Sequence, residues 1–172
     1  IMYDNKLSAL SVGSNNFGPC NDVRPGQKTL CTDRPQLDLF KFESWMSMLD
    51  NPNPNEPLGL EALFSEHVLE HFTPVQAAKL AASAFLSLRP GGTFRVAVPD
   101  GYKPSNDYQI YVRAGSTNSG HGQAHMSVWT VDSLPTIFED LGFEIHYKEH
   151  FDDNGKFHTS DAAYADDAIK GK

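Results

Sequence analysis

The densest group of chemically active side chains in this sequence lies between residues 66 and 71. The segment Glu66–His71 reads EHVLEH and contains the pattern H-x-x-E-H. Two kinds of chemistry use such residues. Neutral imidazoles are good zinc ligands, and an imidazole or a carboxylate can also take up a proton from a reacting group.

The zinc interpretation requires a helix, because the inverted zinc-protease signature places its two histidines, four residues apart, on one helix face. Thr73 and Pro74 follow His71 almost at once and predict the start of a new helix, so a helix over residues 67–71 would have to stop there. The sequence after Pro74 supplies Ala, Leu and Ser where a zinc peptidase needs a further carboxylate ligand. We therefore expect no metal site in this chain.

The acid–base interpretation depends on a strand that ends directly before Glu66. Residues 60–65 have the apolar character of such a strand. Ligands of open α/β sheets collect at the carboxyl ends of strands. We expect Glu66 and His67 to orient an acceptor group or to remove its proton. The alternative is that His67 only closes the loop and that His71 packs beneath the following helix.

A second group of polar residues follows the strand expected at residues 93–98. Asp100 comes directly after that strand, and His121 and His125 lie in a stretch rich in Gly, Ser and Asn. Loops of this length often form substrate lids, so we expect a lid over about residues 103–130. The two histidines could line an acceptor pocket, or they could simply be solvated.

The elements that must position these residues alternate between strands and helices. Strands are expected at residues 7–12, 29–32, 60–65, 93–98, 143–147 and 156–159, and helices at 43–49, 74–88 and 133–141. Thr73 is expected to cap the central helix together with Gln76, and Val75, Leu80, Ala84 and Leu88 to form its buried stripe. The alternation predicts a parallel sheet with crossover helices, and the turn at residues 151–155 predicts an antiparallel edge.

Two segments of the chain resemble a known family. Residues 64–72 (FSEHVLEHF) and 88–100 (LRPGGTFRVAVPD) resemble the second half of the class I S-adenosylmethionine-dependent methyltransferase core. The nearest subgroup is the small predicted methyltransferases with an SEHVLEH segment. Residues 141–143 (LGF) and 152–158 (DDNGKFH) match its later part. The resemblance runs from about residue 8 to residue 158 and is weak before residue 50.

The resemblance implies a Rossmann-like three-layer α/β sandwich, mostly parallel with an antiparallel edge strand, formed by residues 1–172 as one domain. It also implies methyl transfer from S-adenosylmethionine to a small-molecule or sugar-containing acceptor. The implied cofactor contacts are Gly13, Ser14, Asn15, Asp33, Asp38 and Ser65. Of the family's glycine-rich loop only Gly13 is kept, and glycine is what allows a close backbone approach to a ligand.

The two aspartates in this set have different implied roles. Asp33 follows Gly13 by about 20 residues, where Rossmann-like sheets place a carboxylate that binds ribose hydroxyls. It could instead cap the turn at Arg34 and Pro35. Asp38 matches the acidic position near the adenine amino group, or is a solvated residue at the end of a strand.

Two other functions remain open because the glycine-rich loop is altered. The chain could be a degenerate accessory protein that keeps the fold, or an enzyme that cleaves S-adenosylmethionine. Its net charge of −8, from 14 basic and 22 acidic residues, disfavours a nucleic-acid substrate. No apolar run approaches the ~20 residues that cross a bilayer, so we expect no membrane contact. The two cysteines, Cys20 and Cys31, are too few to suggest a disulfide scaffold, so we expect a cytoplasmic protein. The oligomeric state stays open.

Overall fold

The computed structural model describes residues 9–13, 29–32, 38–48, 59–116 and 124–160, and the structural statements below concern these residues. The strands are β1 (Ala9–Gly13), β2 (Thr29–Thr32), β3 (Leu60–Glu66), β4 (Leu88–Ala97), β5 (Glu149–Phe151) and β6 (Phe157–Thr159). The helices are α1 (Phe42–Met48), α2 (Pro74–Ser87), α3 (Asn106–Val112) and α4 (Thr136–Glu139), with a 3-10 turn at Leu69–His71. The chain is a mixed α/β structure.

The chain divides into two compact units. The first contains the described parts of Ile1–Glu66 and Ala82–Ala97, and the second those of His67–Ala81 and Val98–Lys172. In the first unit, β1 to β4 form one parallel sheet in the order β2-β1-β3-β4. The parallel sheet expected from the alternating pattern is therefore present.

The core of the first unit is formed by large apolar side chains of α1 and β3. Trp45 in α1 is 1% exposed and its indole nitrogen donates to the carbonyl of Leu39. Leu60 and Leu63 in β3 are equally buried. These buried residues mark the sides of α1 and β3 that face the core.

An irregularity interrupts the pairing of β3 with β4. Leu60 pairs with Leu88, but Ala62 pairs with Thr93, so four residues of β4 bulge out of register. Gly91 has φ +75°, and a Cβ on Gly92 would come within 3.0 Å of the Leu60 carbonyl oxygen. Glycine suits Gly91 because of its positive φ and Gly92 because of its close backbone contacts.

The start of α2 matches its expected capping box. The Thr73 amide donates to Gln76 Oε1 at 3.0 Å, and the Gln76 amide donates to Thr73 Oγ1 at 3.4 Å. The helix ends at Ser87, one residue earlier than expected. Leu80 is buried as expected, whereas Val75 is 69% exposed, so its assignment to the buried stripe is wrong.

The second unit differs from the sequence prediction at four places, the first being that the helix expected at residues 133–141 is shortened to α4. The expected loop from residue 103 contains α3, whose first turn is capped by the Ser105 hydroxyl, which accepts from the Tyr108 amide. Residues 143–147 are not a strand, because the Phe143 amide donates to the Phe138 carbonyl and closes the end of α4. The last strand pair forms a separate two-stranded antiparallel sheet rather than an edge of the parallel sheet.

The turn between β5 and β6 is the one expected at residues 151–155. The Asp152 amide donates a hydrogen bond to the Lys156 carbonyl at 3.0 Å, and Gly155 adopts φ +76°. Among the described residues, no helix is long and apolar enough to span a membrane.

Candidate functional site

The carboxyl ends of β1 and β3 lie side by side in the first unit. In the register of these two strands Val12 is opposite Ser65, and Gly13 is opposite Glu66. β1 has β2 on one side and β3 on the other. The chain therefore adds strands toward one edge of the sheet from β1 to β2, and toward the other edge from β3 to β4, so the strand order reverses between β1 and β3. This reversal is where ligands of open α/β sheets bind.

Ser65 and Glu66 are the last two residues of β3. Ser65 is 3% exposed, and within the described part of the chain its hydroxyl has no hydrogen-bond partner. Glu66 is partly exposed. This edge therefore carries one buried hydroxyl and one accessible carboxylate.

Asp38 lies in the turn before α1. Its Oδ1 accepts from the Phe40 amide at 3.1 Å, and its Oδ2 lies 3.3 Å from Lys41 Nζ. Its own amide donates to the Ser44 hydroxyl. The carboxylate thus stabilises this turn, which is the kind of local role that an aspartate before a helix often has.

Four of the residues assigned to the site from the sequence lie outside the described residues. They are Ser14, Asn15, Asp33 and His121. Gly13 is described as the last residue of β1.

His67 has an unusual backbone conformation for a residue with a side chain. Its φ is 53°, the only positive φ among the described non-glycine residues. This conformation is costly for an L-residue and is concentrated at functional sites. The ring is about half exposed, and its Nδ1 lies 3.2 Å from Glu70 Oε1.

The H-x-x-E-H segment is not one α-helix. Leu69–His71 forms a 3-10 turn in which the His71 amide donates to the Val68 carbonyl. The sequence argument against a helix over residues 67–71 is therefore confirmed. His67 and His71 do not have the arrangement that a helical zinc-peptidase motif requires.

The second unit brings His125 to Glu70 and His71. These side chains are 4%, 2% and 11% exposed, and the two imidazole centroids are 5.1 Å apart. One ligand atom from each residue lies within 4.8 Å of the others. Sequence reasoning missed this cluster because 54 residues separate His71 from His125.

Backbone hydrogen bonds hold the segment that carries His125. The amides of Met126 and Ser127 donate to the Glu70 carbonyl, and the Ser127 hydroxyl donates to the Phe72 carbonyl at 2.9 Å. His125 itself is buried rather than displayed to solvent. This part of the expected lid is anchored to the 69–71 turn.

Asp100 has a structural role in the second unit. Its two carboxylate oxygens accept from the amides of Tyr102 and Phe151 at 2.8 and 2.7 Å. Its own amide donates to the Tyr108 hydroxyl, and burial raises the pKa of Tyr108. The hydrogen bond from Tyr102 to Asp132 raises the pKa of Tyr102.

Comparisons with protein-family models, with curated proteins and with solved structures found no match.

Proposed function

We propose that the chain binds S-adenosylmethionine at the carboxyl edge of the parallel sheet and transfers its methyl group to a small-molecule or sugar-containing acceptor. We also propose that the parallel sheet is part of a Rossmann-like three-layer sandwich. The observation that supports it best is the pairing of Gly13 with Glu66 at the point where the strand order reverses.

The residues at this edge fit an adenosyl ligand in two respects. The Ser65 hydroxyl is buried and has no partner within the described chain, so a polar ligand atom at this edge could satisfy it. Gly13 ends β1 without a side chain, which permits a close approach to the backbone. Asp38 fits less well, because its carboxylate is already engaged by Phe40 and Lys41.

The chemistry supplied by the cofactor is a methyl group made electrophilic by the attached sulfonium. The chain then has to align the acceptor with that carbon and exclude water, and such alignment is worth effective molarities of up to about 10⁵–10⁸ M in well-oriented systems. Glu66 orients the acceptor and receives its proton, a contribution of about 10²–10⁴-fold when the acceptor must lose one.

Asp33 provides the mutational test of cofactor binding. Asp33→Ala should weaken binding of S-adenosylmethionine about tenfold or more, because a hydrogen bond to a charged group contributes about 1.5–3 kcal/mol. Isothermal titration calorimetry measures the affinity directly. The matched control is Asp107→Ala, which removes an exposed carboxylate in α3 and should leave the affinity unchanged.

The wild-type protein separates the competing functions. Stoichiometric binding of S-adenosylmethionine and S-adenosylhomocysteine is expected. Release of S-adenosylhomocysteine in the presence of an acceptor supports methyl transfer, whereas methylthioadenosine would indicate cleavage of the cofactor. If neither adenosyl compound binds, the accessory-protein interpretation replaces this proposal.

A further inference from the structure

We propose that Glu70, His71 and His125 bind one divalent transition-metal ion, with Zn²⁺ as the reference ion. All three residues belong to the second unit, and their candidate ligand atoms lie within 4.8 Å of one another. The residues of the proposed cofactor edge belong instead to the first unit. The sequence-based expectation of no metal site was based on His67 and His71 as the pair of zinc ligands. The proposed site uses His71 with His125 instead.

The donor set selects the class of ion. Two imidazoles and one carboxylate are a common ligand set for zinc and for other divalent transition metals. Mg²⁺ and Ca²⁺ instead prefer an all-oxygen environment. The cluster therefore predicts preference for Zn²⁺ over these two ions.

Each imidazole is oriented by a backbone carbonyl, as metal-binding histidines usually are. His125 Nδ1 lies 3.0 Å from the Val112 carbonyl oxygen, and His71 Nδ1 lies 3.5 Å from that of Ala124. A carbonyl can only accept, so these contacts place the ring proton on Nδ1. The lone pair of Nε2 is then available as a ligand on both rings.

The carboxylate of Glu70 supplies the second, independent observation. The residue is 2% exposed, and within the described chain its Oε2 is buried without a hydrogen-bond partner. An unpartnered polar atom in the interior costs free energy. Its other oxygen lies 3.2 Å from His67 Nδ1 and 4.0 Å from His71 Nε2. A cation bound by this carboxylate and the two imidazoles would offset the cost of burying the Glu70 side chain.

The spacing of the ligand atoms is close to that of a metal site. Donors bound to zinc at about 2.0–2.2 Å lie at most about 4 Å apart. Closing the 4.8 Å span requires side-chain movement on the order of 1 Å. The backbones of the two segments are already joined, because the Glu70 carbonyl accepts from the amides of Met126 and Ser127.

A bound ion would connect the 69–71 turn to the segment that carries His125. His71 and His125 are 54 residues apart in the sequence, so the ion closes a long loop. Binding to a site that exists only in the folded chain stabilises the fold. We therefore expect the metal to raise the melting temperature as well as to bind stoichiometrically.

Calorimetry with Zn²⁺ alone tests the proposal. The full chain, stripped of metal by a chelator, should bind one Zn²⁺ per chain and melt at a higher temperature with the ion than without it. Glu70→Gln and His125→Ala should each weaken Zn²⁺ binding at least tenfold. His146→Ala is the matched control, because that histidine is 72% exposed and its ion-pair partner is the exposed Glu144.

Measurements on the wild-type chain test the proposal even where a variant fails to fold. X-ray absorption of the zinc-loaded protein should count two imidazoles and at least one carboxylate oxygen, and the Co²⁺ form should show ligand-field bands in the visible. The proposal is overturned if the wild-type chain binds no stoichiometric Zn²⁺, or if folded Glu70→Gln and His125→Ala keep full affinity. It is also overturned if binding disappears in His158→Ala instead, since His150 and His158 form another close imidazole pair, with stacked rings. S-adenosylmethionine is absent from all these measurements, so their outcome does not depend on the proposed function.

Discussion

His67 combines a left-handed backbone conformation with a polar side chain directly after β3. The φ of 53° carries a cost that glycine would not have, and the chain nevertheless has histidine there. Strain of this kind persists where the side chain contributes something else. The contact with the buried Glu70 carboxylate is one such contribution.

The strain at His67 can be measured with a pair of substitutions. His67→Gly should be about 1 kcal/mol more stable than His67→Ala, because only glycine adopts this φ without a steric penalty. Urea unfolding of the two variants gives the difference.

The same pair of substitutions at Ile110 provides the control for His67. Ile110 is half exposed within α3, and there the glycine variant should be less stable than the alanine variant by about 1 kcal/mol. Equal stabilities of the two His67 variants would contradict the assignment of strain.

Asp152 and His158 give the fold an acid-sensitive contact. Their side chains meet at 2.8 Å between His158 Nε2 and Asp152 Oδ2. This hydrogen bond is the main reason why the pKa of Asp152 is lowered from its ordinary value, with further hydrogen bonds from the amides of Lys156 and Asn154.

The lowered pKa sets the sign of a pH dependence. A carboxyl whose pKa is lower in the folded state stabilises the fold above its unfolded pKa of about 4, and this stabilisation is lost as the pH falls through the folded value. The free energy of unfolding of the wild-type chain should therefore fall below about pH 4. Asp152→Asn should flatten this part of the profile, as measured by urea titrations from pH 7 to pH 3. His158→Gln should flatten it as well, and an unchanged slope in both variants would contradict the assignment.

The helices show how far local sequence signals extend. α2 follows its expected start because the Thr73 and Gln76 side chains satisfy backbone amides that have no partner within the helix. α3 was missed although it has a serine cap. Its Ser- and Asn-rich flanks indicated a loop, but its backbone makes helical hydrogen bonds and Val112 is buried.

The cap of α2 leads to a stability prediction at the level of the element. Thr73→Ala should destabilise the protein by about 0.5–2 kcal/mol, since it removes the hydroxyl that accepts from the Gln76 amide. Thermal and urea unfolding measure the loss. Val75→Ala in the same turn is the control, because Val75 is 69% exposed and surface changes usually stay within about 0.5 kcal/mol. A larger effect at Val75 than at Thr73 would show that packing rather than capping fixes this end.

The strand predictions succeeded where the pairing partner lies in the parallel sheet. β2 has the expected bounds, β3 extends the expected strand by one residue, and β1 is shifted toward the carboxyl end. β4 overlaps the strand expected at residues 93–98 but begins five residues earlier, at Leu88. The strand expected at residues 143–147 failed because a strand needs a partner, and Phe143 instead closes α4. The turn around Asp152 and Gly155 fixes the register of β5 and β6, so the last strand pair begins at Glu149.

For the whole molecule, the sequence alone determined the alternation of strands and helices and the position of Glu66 at the end of a strand. These features depend on residues near one another in the chain, such as capping side chains, glycines and apolar runs. Tertiary structure alone decided that Gly13 lies opposite Glu66 and that His125 reaches Glu70 and His71. Strand register and long-range side-chain contacts are set by packing between distant segments, and no local pattern in a single sequence records which segments meet.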